Sequence, residues 1–457
     1  MKVAVIAPPV FAINEDIAYG FERVLISFCQ EVSKHCQVTL IAPVGSRVPG
    51  VEVLETIEPT RDWGSEEAHY EAYAGHLGEF DIIHSNDHSG LVFRYLAQNP
   101  DARIVHTCHG LQTWEAMPIG PNVAYVVLSR FHLRDMEARY GKEYRYEIIP
   151  NGIPLADFPY EPDKDDYFLH LGLVAPHKGA FVAISAARKA GVKLILAGED
   201  KFVADSVYVE LVKAMATGNV EYLGCVSHEQ KLRLVQKATA LILPFQIGEA
   251  DSLIVKEAMA CGTPVLATPL GAIPELITPG VNGFMCATTE EFISTIENDA
   301  EIDPEACRRK ALGFAVGDTA DKYVALYRSL MPKKVLDYDG TGLYETNYYD
   351  EIHIGDVLTT YYQVSKVTTV LGDAHTLLRP GGRLVVEVPD LKALVNAIAE
   401  KRMLDWPDVH AIFHAPGGAH RVTGFSPESL CRLVTAAGYS RVSYMARAGN
   451  IVITGEK

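Results

Sequence analysis

Two glutamates with seven residues between them open the functional reading of this chain: Gly248-Glu249-Ala250-Asp251-Ser252-Leu253-Ile254-Val255-Lys256-Glu257. The stretch continues as Ala258-Met259-Ala260-Cys261-Gly262-Thr263-Pro264. Asp251 or Ser252 can cap a helix that runs to Cys261, Gly262 suits the position just past its end, and Pro264 lies beyond. Glu249 then sits in the loop before the helix, and Glu257 lies about one and a half turns into it. A carboxylate accepts hydrogen bonds at two oxygens, so it can grip a vicinal diol such as a ribose or hexose edge. The amides of Ser252 and Leu253 open the helix and are expected to point into a cleft, where the helix dipole favours an anion. Taken alone, the same pair also reads as solvent-facing carboxylates around a helix cap.

Three further clusters carry weaker signals. In His170-Leu171-Gly172-Leu173-Val174-Ala175-Pro176-His177-Lys178-Gly179, a glycine-ended strand turns into a helix near Ala180. Lys178 at the helix entry suits a counter-charge for a phosphate leaving group. His109 ends the strand of Ile104-Val105-His106-Thr107-Cys108-His109-Gly110. In Tyr19-Gly20-Phe21-Glu22-Arg23, Gly20 permits close backbone approach at the first strand–helix turn. This is not a GxGxxG sequence, so a dinucleotide site is unsupported. A lysine in such a loop is usually a surface residue and a lone histidine usually structural. Asn86-Asp87-His88 has the composition of metal ligands but no second ligand group at metal spacing, so no metal site is expected.

The elements that must position these residues read as short apolar runs separated by longer mixed segments. Strands are expected at Val3-Ala7, Val38-Ala42, Asp81-His84, Arg103-Thr107, Val123-Leu128 and Tyr146-Pro150. A second series follows at Tyr167-Leu171, Lys193-Ala197, Val220-Leu223, Ala240-Pro244 and Pro264-Ala267. Near-continuous apolar strands alternating with helices predict parallel sheets covered on both faces. Two series in tandem predict two doubly wound, Rossmann-like α/β domains, residues 1–152 and 153–331, hinged at Pro150-Asn151-Gly152-Ile153-Pro154. Ligands of such sheets bind beyond the strands' carboxyl ends, so the site is expected in the cleft between them. The segment Asp318-Leu330 is expected to close this two-sheet unit as a helix.

Length and charge bound the rest. The chain has 457 residues, 48% hydrophobic and 22% charged, a globular balance that suggests roughly three units. The formal net charge is -17, which disfavours nucleic-acid partners. Residues 1–332 hold 28 basic and 44 acidic side chains, whereas residues 333–457 hold 13 and 14. The latter segment, taken as a third domain over residues 332–457, carries the strand Arg383-Pro389. It ends in a hairpin of Arg441-Ala446 and Asn450-Thr454. No run of 18 apolar residues occurs and the N-terminus reads as a strand, so a cytoplasmic chain without a spanning helix is expected. The eight cysteines form no CxxC pair and read as small core residues in a reducing compartment.

Taken together, the clusters resemble the retaining glycosyltransferases of family 4, which have the GT-B fold. The resemblance runs from Met1 to about Met331. It rests on Tyr19 to Arg23, His106 to Gly110, Ile149-Pro150-Asn151-Gly152-Ile153, Lys178-Gly179 and Glu249 to Pro264. It implies that Glu257 binds the ribose of a nucleoside diphosphate and that Glu249 holds the donor sugar. It also implies that Lys178, Gly20 and the amides of Ser252 and Leu253 neutralise the leaving diphosphate beside Gly172, and that His109 contacts the sugar. No metal or other cofactor is implied; the partners are a nucleotide-sugar donor and an acceptor of open identity. Three positions depart from the family pattern. Leu173 stands where an arginine is usual, Ala250-Asp251-Ser252 replaces Pro-Phe-Gly, and Tyr19 stands where a second glycine is common. Asp251 is accordingly expected to add negative charge near the phosphates.

The tail is similar to a truncated class I methyltransferase in Val335 to Gly342, in Tyr348 to Leu391 and from Thr423 to Tyr439. The span between Gly342 and Tyr348 is too short for the strand that normally holds the cofactor ribose. A degenerate module without S-adenosylmethionine, used for docking or homo-oligomerisation, is therefore expected. The expected function is metal-independent, retaining sugar transfer to an acceptor hydroxyl. A nucleotide-sugar binder without turnover is the alternative, and methyl transfer by the tail a third reading.

Overall fold

The structure is a computed structural model. It describes residues 1–15, 20–60, 65–111, 117–200, 205–298, 302–332, 335–337, 349–354, 364–389, 427–447 and 450–457. The chain divides into two compact units, Met1–Met331 and Pro332–Lys457.

The first unit contains two parallel sheets. The first comprises β1 (Lys2–Ile6), β2 (Gln37–Ala42), β3 (Glu52–Glu55), β4 (Ile82–Ser85), β5 (Ile104–Thr107), β6 (Val123–Val127) and β7 (Tyr146–Ile148). Their spatial order is β3-β2-β1-β4-β5-β6-β7, and every pairing is parallel. The second comprises β8 (Phe168–Leu171), β9 (Leu194–Ala197), β10 (Val220–Tyr222), β11 (Ala240–Leu243), β12 (Val265–Ala267) and β13 (Gly283–Met285). Its order is β10-β9-β8-β11-β12-β13, again parallel throughout. Each apolar run expected to form a strand does so within a residue or two. Two strands lie outside that expectation. β3 is a half-exposed edge of four residues, and β13 is a three-residue edge beginning at a glycine, so neither has the apolar density of a buried strand.

In both sheets the strand order reverses beside the first strand, between β1 and β4 and between β8 and β11. Loops leaving a sheet at such a reversal diverge to opposite faces and leave a crevice. The final helix, Val316–Leu330, does not extend the second sheet's core as chain order suggests. Val316, Ala320, Tyr323, Val324, Tyr327 and Leu330 are buried in the core of the first sheet, with Val3, Val5, Leu25 and Phe28. The chain crosses back at Ile153, whose N–H donates to the Phe314 carbonyl and whose carbonyl accepts from Val316. A Cβ on Gly152 would collide with the Val316 backbone, so this crossing needs glycine.

The second unit holds β14 (Val335–Asp337), β15 (Tyr349–Ile354), β16 (Leu378–Pro389), β17 (Ser440–Arg447) and β18 (Asn450–Glu456), in the order β14-β15-β16-β18-β17. The first three are parallel, and β18 runs antiparallel to both of its neighbours. The terminal hairpin forms as expected, with Arg447 opposite Asn450. Leu371, Ala374, Leu430 and Val434 from two helices join Ile352, Val386 and Ile453 in its core. Residues 338–348, 390–391 and 423–426 of the tail motifs lie outside the described residues. No disulfide forms among the described residues; six cysteines are buried, Cys431 is half-buried and Cys225 is exposed, so Cys225 departs from the expected core role.

Candidate functional site

Because β8 and β11 are neighbours, the loops that leave their carboxyl ends meet. After β8 the chain passes through Gly172 and a single turn, Pro176–Lys178, into the helix Ala180–Ala190. Gly179 joins turn and helix at φ 81°, and a Cβ there would overlap the Pro244 carbonyl at the end of β11. Glycine is required both by the left-handed backbone and by the close approach. Gln246 N–H donates to the His177 carbonyl at 2.9 Å, which ties the two loops together. The result is an ion pair between Lys178 Nζ and Glu249 Oε1. The ammonium also lies 5.3 Å from the centre of the Phe245 ring. Glu249 itself is held by its backbone: its carbonyl accepts from Ala272, and a Cβ on Gly271 would overlap it.

Glu257 sits on the helix Leu253–Ala260, which starts after Ser252 and ends at Cys261 as expected. Its carboxylate is buried and accepts from Lys231 Nζ at both oxygens, at 3.1 and 2.9 Å. Lys231 lies on the helix His228–Lys237, started by a capping box in which Ser227 and Gln230 satisfy each other's backbone amides. Sequence reading missed Lys231. It stands in the polar run Ser227-His228-Glu229-Gln230-Lys231, and its partner is 26 residues away, so no local spacing marks it.

One cavity of 260 Å³ collects most of the expected site. Lys178, Lys231 and Glu257 line it, with Gly172, Leu173 and Leu253 from the second sheet's loops and Gly20 from the helix Gly20–Ser33 of the first. Leu253 Cδ1 lies 3.5 Å from the place a Cβ on Gly20 would take, an ordinary van der Waals distance, so the two helices approach here without this contact requiring glycine. The walls are apolar: Leu171, Val226, Leu243, Phe245 and Ile254. Glu249 reaches the cavity through Lys178.

Two expectations are corrected. The Ser252 amide is not available to an anion, because the preceding Asp251 Oδ1 accepts from it at 2.9 Å. The Ser252 hydroxyl, 3% exposed, has no hydrogen-bond partner among the described residues. Asp251 is not a loose negative charge near the phosphates. Its Oδ2 accepts from Lys256 Nζ at 2.6 Å and from the Asn151 amide at 3.2 Å, while Lys256 donates to the Asn151 carbonyl at 2.8 Å. This buried ion pair ties the glutamate helix to the interlobe linker. Burial, opposed by Asp251, lowers the Lys256 ammonium below its usual range.

His109 lies apart from the lysines. It does not line the cavity with the lysines but a smaller one shared with Phe21, Asn86, Asn151 and Tyr323. Its Nε2 meets Asn86 Oδ1 at 2.8 Å, and Asn86 Nδ2 donates to the Ile6 carbonyl at 3.1 Å. The amide is therefore oriented with its oxygen toward His109, so Nε2 carries the proton and Nδ1 is left as an acceptor. Burial and the neighbouring histidines hold this imidazole well below the usual range. Beneath it, His84 joins Thr107 Oγ1 and Tyr327 OH at 2.7 Å each, and Thr107 Oγ1 meets Tyr323 OH at 2.8 Å. Burial pushes His84 and His106 down to about 3 and the Glu22 carboxyl up to about 7. Tyr19 lies outside the described residues. Asp87 Oδ1 accepts from the Gly90 amide at 2.8 Å, and no cluster of three or more potential metal ligands occurs among the described residues.

The lobes also meet directly. Ser129 Oγ donates to the Ala250 carbonyl at 2.7 Å, and the Glu275 carboxylate accepts from the amides of Arg130 and Phe131 at 3.0 and 2.8 Å. The latter caps the helix Arg130–Tyr140 from the opposite lobe. No helix among the described residues is long and apolar enough to cross a membrane.

Known proteins agree with this architecture. Residues 19–157 match the family described as Glycosyltransferase Family 4, and residues 156–310 match Glycosyl transferases group 1. A GDP-mannose-dependent monoacylated alpha-(1-6)-phosphatidylinositol monomannoside mannosyltransferase of Corynebacterium glutamicum is 24% identical over 47% of this chain and 64% of its own length. The chain thus spans less than two thirds of that curated relative. Among solved structures, AviGT4, a glycosyltransferase involved in avilamycin A biosynthesis, is 23% identical. It superposes with a TM-score of 0.57 over 72% of this chain and 98% of its own. The Anabaena protein HepE in complex with UDP-glucose gives a TM-score of 0.57 at 16% identity, over 72% of this chain and all of that one. Residues 19–310 therefore carry a glycosyltransferase family 4 domain followed by a glycosyltransferase group 1 domain, in the arrangement of the GT-B fold.

Proposed function

We propose that residues 1–331 transfer a sugar from a nucleoside-diphosphate sugar to an acceptor hydroxyl, with retention of anomeric configuration and without a divalent metal. The observation that carries this reading is the meeting of two lysine–glutamate pairs at one crevice, Lys178 with Glu249 and Lys231 with Glu257. Lysines facing the diphosphate do the electrostatic work that a metal ion does in other transferases. Glu257 accepts from the ribose hydroxyls, Glu249 from the sugar hydroxyls. The uncharged Nδ1 of His109 accepts from the sugar once the lobes close about the linker. In the reaction the bond from the anomeric carbon to the phosphate oxygen breaks, and the acceptor oxygen bonds to the same carbon from the same side. The acceptor proton passes to the departing phosphate.

The test is thermal shift and product release with a panel that includes GDP-mannose and UDP-glucose, donors named for the relatives above. A donor present at 100 times its dissociation constant adds about 2.7 kcal/mol to stability. Stabilisation by one of them, with nucleoside diphosphate released, is the expected result. No stabilisation by any donor contradicts the reading. One observation favours a second reading, binding without turnover: Leu173 lines the cavity where the family pattern has an arginine.

For residues 332–457 we propose a reduced methyltransferase-like module that docks or assembles subunits. The order β14-β15-β16-β18-β17 with antiparallel β18 supports it. Methyl transfer itself requires S-adenosylmethionine binding, which calorimetry reads directly.

A further inference from the structure

The missing arginine and the unexpected lysine lie in the same cavity, since Leu173 and Lys231 both line it. Lys178 and Lys231 are the ammonium groups among its lining residues. Each is balanced by one glutamate, and Glu199 adds a further carboxylate to the lining. A diphosphate entering this largely apolar crevice brings negative charge that no unbalanced cation meets, and uncompensated charge in such surroundings is costly. An ammonium has three N–H donors. Lys178 gives one to a Glu249 oxygen and Lys231 at most two to Glu257, so each retains a donor beyond its glutamate.

We propose that Lys231 is the second diphosphate-binding cation of this site, standing in for the arginine absent at Leu173. On donor entry each lysine turns from its carboxylate to a phosphate oxygen, and each carboxylate is freed for ribose or sugar hydroxyls. A lysine suits this exchange because it is a point charge on a flexible stem, whereas an arginine fork is fixed by its planar geometry. The lysine–glutamate pairs thus balance the two ammonium groups in the empty crevice and exchange partners when the donor arrives. The inference rests on the nucleotide-sugar reading.

The test is calorimetric titration of the full chain with UDP, UMP, GDP and GMP, for wild type, K231M, K231Q and L173R/K231M. The quantity read is the preference for a diphosphate over its monophosphate, which a merely structural role for Lys231 does not move. K231M is expected to reduce that preference by about tenfold or more, the loss of one charge-assisted partner, with monophosphate affinity little changed. K231Q keeps an amide donor for Glu257 but no charge, and covers the case in which K231M fails to fold; it is expected to show the same loss. L173R/K231M is expected to recover the preference. An unchanged preference in K231M or K231Q, or a double variant as impaired as K231M, overturns the inference. A wild-type chain that binds none of the four nucleotides overturns the nucleotide-sugar reading and this inference with it. Normal wild-type binding with an unaffected K231 variant removes the inference alone.

Discussion

The two sheets of the first unit place titratable groups at the same topological position and treat them in opposite ways. At the carboxyl ends of β4 and β5, His84 and His106 are buried and His109 is half-buried, and all three are held uncharged; His84 is hydrogen-bonded to Thr107 and Tyr327, and His109 to Asn86. At the ends of β8 and β11 the groups are ion pairs: Lys178 with Glu249, Lys231 with Glu257 and Lys256 with Asp251. A neutral hydrogen-bonded surface suits a polyhydroxyl ligand, and a set of exchangeable ion pairs suits an anionic one. The fold is common to both lobes, and the choice of side chains at the strand ends divides the chemistry between them.

The sharpest way to break this contrast is E257Q. It keeps an oxygen for Lys231 and removes the charge, and sugar transfer is expected to fall by about a hundredfold or more, the scale of losing a buried charged contact. Initial rates with a thermal melt separate this from unfolding.

The next largest effect concerns Asp251 and Lys256, both almost fully buried. K256M leaves Asp251 without its ammonium and is expected to cost about 3–5 kcal/mol, whereas D251L/K256M returns to near wild-type stability. Urea unfolding of both variants distinguishes a specific buried pair from general intolerance at this helix. The double variant also loses the link to Asn151, so transfer is expected to drop although stability does not.

Acid sharpens the comparison from the other lobe. His84 and His106 have folded pKa values lowered to about 3, so the unfolded chain takes up protons first as pH falls below its ordinary value of 6.5. Their contribution is present at neutral pH and is lost as pH falls from about 6.5 toward 3, by about 1.4 kcal/mol per histidine between pH 7.5 and 5.5. Denaturation across that range, in wild type and in H106F, reads the slope; H106F is expected to flatten it. The smallest effect is expected at the exposed Arg233–Glu229 pair, on the same helix as Lys231. R233A is expected to leave melting unchanged, since exposed pairs add little.

Much of this was legible in the sequence because it rests on local pattern. Apolar runs located the buried strands, and Gly262 marked the end of the glutamate helix at φ 78°. What escaped has a long-range origin. Lys231 meets Glu257 across 26 residues, and the helix Val316–Leu330 returns to the first core, which no periodicity along the chain records. Asp251 and Lys256 did carry a signal, two charges set within an otherwise apolar stretch. Read singly, Asp251 looked like a misplaced charge; read as a pair, they form a buried bridge. His109 followed the strand-end rule, yet the first lobe's own cavity holds it by way of Asn86.

The central claim is that the crevice of Lys178, Glu249, Lys231 and Glu257 accepts an activated sugar. The most direct measurement is the rate of nucleoside diphosphate release from a panel of nucleotide sugars by wild type and E257Q side by side. Release from at least one donor by wild type, and its near-complete loss in a folded E257Q, is the predicted result. Equal rates in the two proteins would contradict the account.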